Sequence, residues 1–233
     1  MKNIKLMPWE LYKNCEALHL RVSKRFSQHG LSKTSARLRD TAQESAGTAI
    51  WINKPNWYIR IAAWLSIILL VVSVIGSVSL LKITTKGINL AETFQMIDSA
   101  FNCIVLIGGA GFFLMAFESR RKRKRVLTAI NRLRCIAHLI DAHQLSKDPP
   151  YMAEKTEPTM SEESLMYYLD YCSEMLSMTS KIAFVYVQDF DDSAANEAAS
   201  DLEQLTTGLS QKIWQKIVML RRRPGQGDPS KGP

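Results

Sequence analysis

Histidine and cysteine are scarce, with four of each in 233 residues. The chain has no C-x-x-C, no H-E-x-x-H, no G-x-S-x-G and no glycine-rich phosphate loop, and no two carboxylates stand in a catalytic frame. These gaps remove the common thiol-redox, zinc-protease, hydrolase and nucleotide-binding classes. The chain reads as a non-enzyme with no cofactor and no metal. No short apolar core with a small-residue cleavage site follows the first lysines, so no signal peptide is expected. Four cysteines do not suggest a disulfide framework, because Cys15, Cys135 and Cys172 fall in segments read below as cytoplasmic.

The most informative absence is that of charge. Ile61–Leu81 (IAAWLSIILLVVSVIGSVSLL) and Ser99–Phe117 (SAFNCIVLIGGAGFFLMAF) hold no Asp, Glu, Lys, Arg or His. At about 1.5 Å rise per residue, the first run matches the roughly 30 Å hydrocarbon core of a bilayer. Proton relays, charged selectivity rings and coupled transport need ionisable groups inside the membrane, and these runs exclude them. Glu118 and Ser119 end the second run, and Arg120, Arg121, Lys122, Arg123, Lys124 and Arg125 follow without a break. Cations concentrate on the side that is not translocated. Lys54 and Arg60 flank the first run on that same side, and the connection between the runs offers only Lys82 and Lys86.

The expected fold is therefore all-α, a two-helix transmembrane hairpin with a cytoplasmic helical bundle. Its parts are cytoplasmic helices in 1–57, a transmembrane helix in 58–82, an external loop in 83–98 and a second transmembrane helix in 99–118. A cytoplasmic helical region (119–222) and a disordered tail (223–233) complete the chain. Both termini face the cytoplasm. Trp51, Trp57, Tyr58 and Trp64 suit the headgroup level.

Charge is distributed unevenly along the sequence. Residues 1–60 hold 11 bases and 4 acids, and 118–147 hold 9 and 2, whereas 148–220 hold 13 acids and 4 bases. The basic collar Arg120–Arg125 suits a bilayer with anionic lipids, at about 1 kcal/mol per cation near the surface. Six cations abutting a span are read as lipid and topology contacts rather than as a direct nucleic-acid site.

In the first span, Ser66, Ser73 and Ser77 share a helical face; in the second, Asn102 and Gly109 do so, with Gly108-Gly109-Ala110-Gly111 thinning the centre. Small residues let membrane helices approach closely. They form the candidate packing face, either within one hairpin or between copies in a homo-oligomer.

Outside the spans, Pro8 opens a helix that Gly30 would end, with Leu11, Cys15, Leu18, Val22 and Phe26 as one apolar stripe. That stripe suits either docking on the bundle or lying on lipid. Ser32 would cap a short helix before Gly47. The second span should continue as helix to Leu145, on which Arg134, His138 and Asp141 are spaced to form a buried polar cluster. Thr159 with Glu162 reads as a capping box for the next helix. Leu165, Leu169, Cys172, Leu176, Ile182 and Tyr186 form its stripe, although Ile182–Val187 is also β-prone. After Asp189–Asp192, a near-heptad seam runs through Ala198, Leu202, Leu205, Leu209, Ile213, Ile217 and Leu220.

The two uncharged runs, ESRRKRKR (118–125) and RLRCIAHLIDAHQLSKDP (132–149) together resemble the two-transmembrane effectors of bacterial anti-phage systems, in particular those that accompany retrons. The resemblance implies the bacterial inner membrane as the compartment and a membrane effector that breaches it to abort infection. It also implies a reverse transcriptase–nucleic acid complex, or another cytoplasmic defence component, as partner. A membrane-anchored scaffold that binds a cytoplasmic partner without conducting is the alternative.

Overall fold

The structure is a computed structural model, and it describes residues 5–53, 90–145 and 160–221 with ten separate residues between 57 and 76. Every regular element among them is helical. Five helices are described end to end: α1 (Pro8–Arg25), α2 (Gly30–Asn53), α3 (Leu90–Leu145), α4 (Glu162–Val187) and α5 (Ser193–Arg221). The chain falls into two units, one made of Met1–Asn53 with Arg125–Pro233 and the other of Lys54–Lys124.

The first unit has a main core built from both of its sequence segments, with Leu11 and Val185 in a small cluster beside it. Pro8 sits in the first turn of α1, where its missing N–H costs nothing. The expected stripe is buried throughout: Leu11, Cys15, Leu18, Val22 and Phe26 are all at most 4% exposed. Docking on neighbouring helices therefore accounts for this face, since α1 packs on α2 and α4. The helix ends earlier than expected, with Phe26 as its cap and the Phe26 N–H donating to the Val22 carbonyl at 2.8 Å. Gly30 is not its terminator but the first residue of α2, which continues through Gly47 to Asn53. The end of α3 takes up the space beside Gly30, as described below.

From Arg125 onward, α3 buries Val126, Ile130, Leu133, Ala137 and Ile140 at heptad-like spacing. The continuous helix expected through the basic run is present. Its start is at Leu90, so the part of 83–98 from Leu90 onward is helical. α4 is capped by Ser161, whose hydroxyl accepts from the Ser164 N–H at 3.2 Å. That corrects the cap expected at Thr159, which lies outside the described residues. Glu162 and Glu163 instead stand in the first turn, favourably placed at the positive end of the helix. Ile182–Val187 is helical, and its stripe is buried.

The break at Asp189–Asp192 is where the sequence puts it. Asp192 caps α5 by accepting from the Ala195 N–H at 3.1 Å. Of the expected α5 seam, Leu202, Leu209, Ile213, Ile217 and Leu220 are buried, while Ala198 and Leu205 are only half-buried and give way to Ala195, Ala199 and Thr206.

The charge polarity of the sequence becomes contacts between helices. Lys5 pairs with Asp189 and Arg21 with Glu174, joining the basic N-terminal segment to the acidic α4 end of the unit. Arg25 lies over the Tyr167 ring, 3.6 Å from its centroid. On α3, Arg132 pairs with Glu44 of α2 at 3.1 Å, and Arg134 with Asp201 of α5 at 3.6 Å.

In the second unit, α3 from Leu90 to Lys124 is the described element. Among the described residues, no helix is long and apolar enough to cross a membrane. Most of 61–81 lies outside them, and the ten separate residues at 57–76 are helical and exposed.

Candidate functional site: an apolar helix, a basic run and a histidine-lined turn

Between Phe101 and Phe117, α3 carries large apolar side chains that the unit leaves uncovered. Phe101, Leu106, Phe112 and Phe113 are 64%, 72%, 77% and 66% exposed. At about 100° per residue these positions do not form one stripe. Adding Ile104, Leu114, Met115 and Phe117, all exposed, places apolar groups on every side of the helix. Asn102 shares this surface, its side-chain nitrogen donating to Asp98 Oδ2 at 3.5 Å. Gly109 is exposed, and a Cβ there would meet nothing within 4 Å. Of the expected packing face, Ser66, Ser73 and Ser77 lie outside the described residues.

The basic run follows on the same helix. Arg120, Arg121, Arg123 and Lys124 are exposed, and Lys122 pairs with Glu118 one turn back at 2.9 Å. Arg125 belongs to the first unit, where its guanidinium lies 4.5 Å from the centroid of the Trp51 ring. The run thus combines exposed cations, the Lys122–Glu118 pair and one cation held on an indole face.

The cluster expected at Arg134, His138 and Asp141 does not form. Each of the three follows a buried residue of the α3 stripe, at Leu133, Ala137 and Ile140, and is turned about 100° away from the core. His138 is exposed, Arg134 reaches Asp201, and Asp141 accepts from the Gln144 side-chain nitrogen at 2.7 Å. The nearby buried polar residue is Gln144, 1% exposed, whose Oε1 has no partner among the described residues.

The histidine that does pack between helices is His143. Its Nε2 lies 3.2 Å from Thr34 Oγ1, and the Tyr168 hydroxyl donates to its carbonyl at 3.4 Å. A Cβ on Gly30 would fall 2.3 Å from its Cε1, so the ring fills the space that glycine leaves. A second histidine holds the same turn of α2 from α1, with His19 Nδ1 2.9 Å from Ser35 Oγ. Burial lowers the pKa of both rings. For His19, Arg39 lowers it further and Asp40 opposes the change. Phe26, His29 and Tyr168 stack edge-on beside this turn. His143 is five residues from His138 and off its helical face, and the Gly30 that admits its ring was expected to end α1 rather than to open α2.

No group of three or more His, Cys, Asp or Glu among the described residues is placed to hold a metal. Burial pushes the thiols of Cys15 and Cys172 up to about 12, so neither is a ready nucleophile; Cys135 is exposed. No protein-family model, no curated protein and no solved structure matches the chain.

Proposed function

We propose that the chain is a two-pass inner-membrane protein that acts as the effector of an anti-phage defence system of retron type. Copies associate through the small-residue faces of the spans, compromise the bilayer and abort infection, with no catalytic step. The observation that carries the membrane part is the apolar surface on every side of α3 between Phe101 and Phe117. A helix apolar all round is stable only when buried, in a protein core or in lipid. The basic run beside it, with the uncharged run 61–81 before it, supports a hairpin with both termini in the cytoplasm. The defence role, and a reverse transcriptase with its RNA–DNA product as partner, rest on the resemblance of 61–149. Because the spans hold no charged filter, the leak has little ion selectivity.

The test is membrane potential and dye entry in cells producing the protein at matched levels. Full-length protein is expected to depolarise the membrane, and Gly109→Leu to do so less, because leucine separates helices that glycine lets touch. If both insert and the potential holds, the effector reading is lost and the membrane-anchored scaffold stands.

A further inference from the structure

Between α4 and α5 lies a groove of about 350 Å³, lined by Glu163, Tyr167 and Asp170 of α4 and by Trp214, Ile217 and Arg221 of α5. The α4 residues recur at i, i+4 and i+7, which puts two carboxylates on either side of one aromatic ring along a single face. Both carboxylates are exposed, and neither has an ion-pair or hydrogen-bond partner among the described residues. Opposite them Trp214 is 58% exposed, and its indole has no aromatic or cationic partner among the described residues. The wall already accepts one planar cation, since Arg25 stacks 3.6 Å from the Tyr167 centroid.

We propose that this groove binds an arginine-bearing segment of a partner protein, with a guanidinium laid on Trp214 and paired to Asp170 or Glu163. An indole is the strongest cation–π face among side chains. Guanidinium is the cation suited to it, being planar, weakly hydrated and able to bridge a carboxylate with two N–H groups. The helices that form the groove, with 10 acids against 4 bases in 162–221, attract a basic segment and repel an acidic one. From Glu163 to Ser173 the α4 wall is about 15 Å long, enough for a short peptide rather than a single small cation. Arg221, the last residue of α5, is part of the lining and opposes a second cation, while Ile217 adds apolar surface. The recognised unit is therefore one arginine beside an apolar side chain, not a polyarginine run. The site stands whether or not 61–117 crosses a bilayer.

The experiment titrates full-length protein in detergent micelles with a fluorescein-labelled peptide, followed by anisotropy. The peptide carries one arginine flanked by leucines among neutral polar residues; matched peptides carry citrulline or glutamate in place of the arginine. The arginine peptide is expected to saturate, and citrulline to weaken binding about tenfold. Trp214→Ala should weaken it about tenfold, and so should Trp214→Leu, which keeps apolar bulk without the π face. Glu163→Gln with Asp170→Asn should do the same, while Glu197→Gln with Glu203→Gln, outside the groove, leaves affinity unchanged. Equal binding of the citrulline peptide, insensitivity to the groove variants, equal loss in the Glu197/Glu203 variant, or failure to saturate each overturns the proposal.

Discussion

Gly30 shows how one missing Cβ can place a helix. The ring of His143 occupies the volume that any other residue at position 30 would claim. Gly30→Ala is expected to cost about 1–3 kcal/mol as the ring is forced aside. Adding His143→Ala should recover part of that loss, giving a coupling of opposite sign in a double-mutant cycle read by urea unfolding. An equal loss in both backgrounds would mean that the ring is not the obstacle. The histidines also set a pH dependence. His19 and His143 have pKa values lowered in the fold from 6.5, so below that pH the unfolded chain takes up protons first. Their contribution to stability should be constant above 6.5 and fall as pH drops from there towards the lowered folded values. Replacing both with Gln should flatten the unfolding midpoint over that interval; an unchanged slope would remove them as its source. None of this was legible from spacing, because residues 30 and 143 meet only once the core has closed.

For single helices, the sequence was informative wherever a stripe was long. The α1 stripe, the α4 stripe and the passage of α3 through the basic run all follow from 3.6-residue periodicity, and each is realised. What failed was phase and boundary. Arg134, His138 and Asp141 share a face by spacing, but spacing does not say which face is inside, and Leu133, Ala137 and Ile140 took the core. Thr159 and Ser161 are both capable caps, and the choice between them depends on where α4 begins against its neighbours. α1 also separates two kinds of holding force. Leu18, 1% exposed, should cost about 2–5 kcal/mol on change to Ala. Arg21, though ion-paired with Glu174, has a half-exposed side chain and should cost less than about 1 kcal/mol. Denaturant midpoints decide between them: a larger loss at Arg21 would mean that charge rather than burial docks α1.

Over the whole molecule, the membrane reading makes a prediction about sidedness. In a background lacking the native cysteines, Thr85→Cys should react with an impermeant thiol reagent on intact cells, and Ser200→Cys should react only after lysis. Labelling of the Ser200 position alone would invert the topology. The discontinuity of the first unit carries a consequence of another kind, in the order of events at the ribosome. α1 and α2 are made first, but the core that buries Leu18 and Val22 also needs α4 and α5, which come more than a hundred residues later. At about 5–20 residues per second, the first two helices wait on the order of ten seconds with their apolar faces unmatched. Throughout that interval the emerging chain presents those faces to whatever lies at the exit tunnel, and synthesis halted anywhere before α5 never withdraws them.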